Sequence, residues 1–171
     1  MSKAGVATLT GSIVFTDLVG FTETTAQRGD DYALMVLERQ ASVIRSVLPE
    51  GARVVKELGD GLLLWFDDAC DAIDASFRLR AALEHPAGHD GLPLWLRIGV
   101  HWGTPRTRGD DLIGHDVNVA ARIVDLASPS EILASHPVVE RLDDRFALDE
   151  LGPVMMRGIP DPLRLFRVER A

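Results

Sequence analysis

Two charges stand at the mouth of the most apolar hairpin signal in the chain. Arg53 to Phe66 reads R-V-V-K-E-L-G-D-G-L-L-L-W-F, with Lys56 and Asp60 near the bend. Gly59, Asp60 and Gly61 predict a strand, a tight turn and a returning strand. Arms this rich in Val and Leu are expected to be buried on both faces, where a charge needs a partner. The plain alternative is a turn aspartate beside a snorkelling lysine. Asp17 is a second acidic group of this kind, near the end of S-I-V-F-T-D-L-V (Ser12 to Val19), which Gly20 closes. A strand that runs through a glycine into a helix leaves backbone N–H groups free, and such groups favour anions. An ordinary capping carboxylate is the alternative for Asp17. Asn118 and Arg122 lie four apart in H-D-V-N-V-A-A-R-I-V and so share a helix face, which could equally be a solvated polar surface. His101 reads as a packed strand histidine, because no Cys or His lies at metal-ligand spacing.

These residues need elements to hold them. After the Ser12 to Val19 strand, Thr22 to Gln27 predicts a short helix. Asp30 caps a longer one to about Val47, with Ala33, Val36, Leu37, Val43, Ile44 and Val47 at helical spacing. Beyond the hairpin, Asp67 or Asp68 caps a helix whose Ala69, Ile73, Phe77 and Leu83 form one face, ending near His85 and Pro86. Ala87 to Pro93 is a polar loop, Leu94 to Trp102 a strand, and Thr104 to Asp111 a charged excursion. Gly114 opens the helix of Asn118 and Arg122. Glu131 to Ala134 is a short strand and Val138 to Leu142 a helical turn. Phe146 to Leu151 leads into M-M-R-G-I-P and a last strand, Leu163 to Val168. That order predicts an α+β fold with a ferredoxin-like central sheet layered with helices.

Composition bounds the function. With 171 residues, 46% of them hydrophobic, the chain supports one full core. We expect an N-terminal extension over 1–11 and a single domain over 12–171. A formal net charge of −8 argues against nucleic acid and against an anionic membrane surface, both of which select basic patches. No apolar run reaches the length of a membrane span, and Met1 to Thr10 lacks the long apolar region of a signal peptide. Cys70 is the single cysteine, so no intrachain disulfide forms and a cytoplasmic location is expected. Only Lys3 and Lys56 are lysines among 18 basic residues, which sets the lysine at 56 apart.

Three spaced blocks carry a resemblance. F-T-D-L-V-G-F-T around Asp17, K-E-L-G-D-G around Lys56 and Asp60, and D-L-I-G-H-D-V-N-V-A-A-R from Asp111 to Arg122 resemble, in order, the signatures of class III nucleotidyl cyclase catalytic domains. The resemblance covers roughly Ser12 to Val168. It implies an adenylate cyclase that converts ATP to 3′,5′-cyclic AMP and pyrophosphate. Asp17 and Asp60, with Leu18, would hold two divalent ions, Mg²⁺ or Mn²⁺. Val19, Gly20, Phe21 and Thr22 match the phosphate cradle. Asn118 matches the residue that orients the ribose, and Arg122 the one that steadies the α-phosphate. Arg157 falls where many relatives carry a triphosphate-binding lysine; arginine keeps the charge and changes the geometry. Lys56 and Asp111 match the base-reading pair of adenylate cyclases, a donor and an acceptor complementary to N1 and N6 of adenine. The resemblance also implies a homodimer with shared sites, in which Thr104 to Asp111 and Gly152 to Pro162 act as dimerisation arms. The alternatives are a guanylate cyclase and a non-catalytic nucleotide-binding regulatory module.

Overall fold

The computed structural model describes residues 5–86 and 92–171. Positions 1–4 of the expected N-terminal extension and 87–91 of the expected Ala87 to Pro93 loop lie outside the described residues.

The first half of the chain is a β-α-β-β-α-β unit. Strand β1 (Gly11–Leu18) leads through helices α1 (Phe21–Arg28) and α2 (Asp30–Val47) to β2 (Ala52–Leu58) and β3 (Gly61–Phe66). Helix α3 (Ala69–Glu84) then returns to β4 (Leu96–Gly103). These strands lie in the order β2-β3-β1-β4, with β1 antiparallel to both of its neighbours. This is the ferredoxin-like arrangement that the element order predicts. The second half adds a hairpin of β5 (Arg106–Arg108) and β6 (Asp111–Ile113), then helix α4 (His115–Leu126), β7 (Ile132–Ser135), α5 (His136–Val139), β8 (Phe146–Val154) and β9 (Leu163–Arg170). Strands β7, β9 and β8 extend the sheet beyond β4 to seven strands.

Strand alternation divides the sheet between two helical layers. Val14, Leu18, Leu62, Leu64, Leu96, Ile98 and Val100 face α2 and α3, where Val36, Ile44, Ile73, Leu79 and Leu83 complete the main core. On the other face, Ile13, Leu63 and Trp65 meet Leu112 and Ala120, while Leu133 and Leu165 meet Val119 and Ile123 of α4. The charged excursion is thus a real hairpin, seated through Leu112.

Two local expectations need correction, and a third is narrowed to one residue. Asp30 is the first residue of α2 rather than its cap: Gly29 takes the cap position, and no side chain caps the helix. Asp30 and Asp31 instead place negative charge at the positive end of the helix dipole. The α3 cap is Asp68, whose carboxylate accepts from the Asp71 amide at 3.0 Å. Burial on both faces holds for β3 alone. Strand β2 lies at the sheet edge and is half-buried.

Helix α4 reaches β4 unusually closely. A Cβ on Gly99 would lie 2.5 Å from the backbone nitrogen of Val124 and 2.9 Å from its Cα, so only glycine lets helix and strand meet here. Gly99→Ala should lift α4 from the sheet and cost about 1–3 kcal/mol. Thermal unfolding should show a clear fall in Tm, and an unchanged Tm would refute this packing.

Candidate active site

The antiparallel register gathers one group of charges. Thr16 pairs with Leu62, so the end of β1 and the turn before β3 meet at one end of the sheet. Asp17 and Asp60 therefore stand side by side. Burial first, and then the neighbouring Asp17 charge, push the Asp60 carboxyl above its ordinary range, while the backbone N–H groups of Asp60 and Leu18 draw it down. Asp17 pairs across the sheet with Arg97 of β4, whose guanidinium Nη2 meets Asp17 Oδ2. Behind the turn, the buried Gln40 donates from Nε2 to the Asp60 carbonyl at 3.2 Å. Gln40 thus holds the turn from the α2 side.

Two carboxylates forced together, with a guanidinium already on one of them, make a site short of positive charge. Hard oxygen donors of this kind suit Mg²⁺ or Mn²⁺. No group of three or more His, Cys, Asp or Glu gathers among the described residues. A cation here would complete its shell with water or ligand oxygens, as Mg²⁺ commonly does.

Just beyond Asp17, Gly20 takes a left-handed conformation (φ 70°) and α1 begins with no side-chain cap. The first-turn N–H groups of Phe21 and Thr22 therefore lack partners within the helix. Val19 departs from the expected cradle: its N–H already donates to the Trp95 carbonyl at 2.8 Å.

Lys56 and Asp111 form a second group. Lys56 Nζ lies 2.8 Å from Asp111 Oδ2, with side chains 41% and 38% exposed. The ammonium holds the Asp111 carboxyl below its ordinary range, first through that hydrogen bond. A β-bulge makes the contact possible. The register shifts between Val54, paired with Leu64, and Lys56, paired with Leu63. Leu64 faces α2 and α3, whereas Leu63 faces the α4 side. The extra residue thus turns Lys56 toward the β5–β6 hairpin, and Glu57, paired with Leu62, faces away. Arg53 donates to the Asp110 carbonyl at 2.8 Å and fixes the hairpin tip against β2.

Asn118 and Arg122 lie on the exposed side of α4, opposite the buried Val119, Ala120, Ile123 and Val124. Arg122 pairs with Asp125 at 3.4 Å. Met156 and Ile159 plug into Val119 and Ile123, leaving Arg157 exposed between them beside α4. Among the described residues, no hydrogen bond or ion pair joins Asn118, Arg122 or Arg157 to Asp17 or Asp60. Within one chain the described bonds thus join Asp17 to Arg97, Lys56 to Asp111 and Arg122 to Asp125, and none links these three groups to one another.

A family model for the adenylate and guanylate cyclase catalytic domain matches residues 8–169. The chain belongs to this family. The match begins inside the stretch set off as an N-terminal extension, where Ala7 and Leu9 hydrogen-bond to the β5 end of the hairpin. An uncharacterised protein of Mycobacterium bovis is 33% identical over 170 residues, covering 95% of this chain and 42% of the relative. A pH-sensitive adenylate cyclase of Mycobacterium tuberculosis is 30% identical over 93% of this chain and 40% of its own length. The cyclase domain thus spans about two fifths of these relatives. The crystal structure of the adenylyl cyclase CyaB from P. aeruginosa superposes with a TM-score of 0.85 at 20% identity, covering 98% of this chain and 97% of that one. No helix among the described residues is long and apolar enough to cross a membrane.

Arg97 escaped the sequence reading. Its signal was present: a lone charge inside the strand run L-W-L-R-I-G-V needs a partner for the same reason as Lys56. The bulge had no such signal, because no glycine marks it.

The half-exposed Lys56–Asp111 pair predicts a modest pH-dependent stability. Asp111 titrates lower when folded than when unfolded, so its contribution is present above the ordinary carboxylate range and is lost as pH falls through the depressed value. Lys56→Met should therefore cost about 0.2–1 kcal/mol at pH 7, discounted for solvent screening. The difference from wild type should close in acid, as read by denaturant melts at both pH values. A difference that grows on acidification would contradict the pairing.

Proposed function

We propose that this cyclase domain converts ATP to 3′,5′-cyclic AMP and pyrophosphate, with Mg²⁺ or Mn²⁺, at sites shared between two copies of the chain. The observation that carries the choice of ATP is the Lys56–Asp111 pair, 2.8 Å apart on a bulge that aims the lysine at the hairpin. Lys56 keeps further N–H donors for the N1 acceptor of adenine, and Asp111 is an acceptor for the N6 amino group. Guanine presents the reverse edge and leaves both groups mismatched.

The remaining side chains fit the other parts of the substrate. Asn118 orients the ribose, and Arg122 releases Asp125 to fork onto the α-phosphate oxygens. Unpaired N–H groups of Phe21 and Thr22, with Gly20 giving close approach, hold the terminal phosphates. Arg97 and Arg157 add charge for the triphosphate. Two divalent ions held by Asp17, Asp60 and the Leu18 carbonyl would supply charge where the ribose 3′-hydroxyl loses its proton and where pyrophosphate departs. The 3′-oxygen attacks the α-phosphorus, and the bond from that phosphorus to the bridging oxygen of pyrophosphate breaks. Positive charge fixed in advance around these oxygens is usually the largest contribution to such a step.

The shared site is supported by the lack of any described bond within one chain between Asp17 or Asp60 and Lys56, Asp111, Asn118 or Arg122. Lys56, Asp111, Asn118 and Arg122 of one copy would face Asp17 and Asp60 of the other, and two-fold symmetry makes two such sites.

Incubation of the purified domain with ATP or GTP and Mn²⁺ or Mg²⁺, followed by chromatography, should yield cyclic AMP and pyrophosphate with ATP preferred. Lys56→Glu combined with Asp111→Cys should lower the ATP-to-GTP preference by at least about tenfold. Equal use of both nucleotides by wild type, or an unchanged ratio in the double variant, would mean that the base is read elsewhere.

A further inference from the structure

One carboxylate ties together the elements that carry the Asp111 and α4 groups. Asp116, in the first turn of α4, places Oδ1 3.2 Å from Nε2 of His101 on β4 and Oδ2 2.7 Å from the backbone N–H of Thr104. Thr104 begins the connection to the β5–β6 hairpin, which carries Asp111. Asn118 lies two residues beyond Asp116, and Arg122 one turn further.

The site is built for this carboxylate. A Cβ on Gly103 would lie 2.3 Å from Asp116 Oδ2 and 2.4 Å from its Cγ, so the strand leaves a side chain's room for it. His101 is fixed on its other side, with Nδ1 2.7 Å from Oγ of the fully buried Ser135 on β7. Burial lowers the His101 pKa, against the pull of Asp116, and a neutral ring offers one donor and one acceptor. Because the Asp116 carboxylate only accepts, the matching tautomer carries its proton on Nε2 and takes the Ser135 hydroxyl as donor to Nδ1. The resulting chain runs from β7 through β4 and α4 to the connection that enters the hairpin.

We propose that Asp116 is a positioning residue of the cyclase, which locks the first turn of α4 and the start of the hairpin onto β4 and so holds Asn118 and Arg122 in register with Asp111. This rests on the proposed cyclisation of ATP. The hairpin has other anchors in Leu112, Arg53 and the Lys56–Asp111 pair. Loss of Asp116 therefore falls mainly on Asn118 and Arg122, which act as the reaction proceeds, and less on base binding.

The test compares Asp116→Ala with Asp116→Asn. An asparagine accepts from Thr104 through Oδ1 and turns its amide nitrogen toward His101. The ring can answer by moving its proton to Nδ1, which then donates to Ser135. Asp116→Ala should lower kcat for ATP about tenfold to a hundredfold, with KM within about threefold of wild type. Asp116→Asn should recover most of that kcat. In ¹⁵N NMR, His101 should carry its proton on Nε2 in wild type and on Nδ1 in Asp116→Asn. Amide exchange at Thr104, whose N–H donates to Asp116, and at Asn118, which closes the first turn of α4, should quicken in the alanine variant and not in the asparagine one. The NMR and exchange readings test the clamp even if wild type makes no cyclic nucleotide, an outcome that would overturn the reading of the activity instead. An alanine variant with wild-type kcat, a raised KM at constant kcat, or an asparagine variant as slow as alanine would overturn the proposal. An Nδ1–H ring in wild type would do the same. If Asp116→Ala does not fold, the asparagine rate and the two NMR spectra decide.

Discussion

The close seating of α4 on β4 is the constraint on which the candidate site depends. One face of β4 reads Arg97, Gly99, His101, Gly103. The two glycines remove the side chains that would hold a helix at the usual distance, and α4 fills the space with its own backbone at Val124 and with Asp116. Dispersion at such short separations is strong because many atoms reach contact at once. The orientation of the helix follows: Val119, Ala120, Ile123 and Val124 go inward, and Asn118 and Arg122 are left at the surface.

On that same face the sheet keeps its charges. Arg97 meets Asp17 across β1 and β4, and the β2 bulge turns Lys56 toward Asp111. Charge in or near a sheet core is tolerated only when paired, and these two pairs satisfy that requirement at the surface end of the strands. The pairs differ in one respect. Lys56 and Asp111 balance each other, whereas the Arg97–Asp17 pair has Asp60 beside it, whose carboxyl is raised above its ordinary range first by burial and then by the Asp17 charge. Two carboxylates and one guanidinium at that strand end leave a net negative charge, which a divalent cation would offset.

Much of this was legible in the sequence because it rests on period and punctuation. The glycines around Asp60 marked the hairpin, the spacing of Ala69, Ile73, Phe77 and Leu83 marked α3, and Gly114 marked the start of α4. The three spaced blocks named the family that the match over 8–169 establishes. What the sequence hid depends on pairing between distant strands. Edge position made β2 half-exposed, the unmarked bulge re-aimed Lys56, and the β1–β4 register brought Arg97 to Asp17. The Val19 N–H was lost to the cradle through a bond to Trp95, a partner far away in sequence. His101 was rightly read as packed, but its link through Asp116 to the hairpin needed three elements in place.

The central claim is that one chain carries two halves of different sites, and a complementation experiment tests it most directly. An Asp17→Ala chain and an Arg122→Ala chain, each nearly inactive alone, are mixed and allowed to exchange subunits, and cyclic AMP formation is measured. A mixed dimer carries one site with both lesions and one with neither. Random pairing should then restore roughly a quarter of wild-type activity when the sites act independently. Persistent inactivity after confirmed subunit exchange would show that each chain builds its own site.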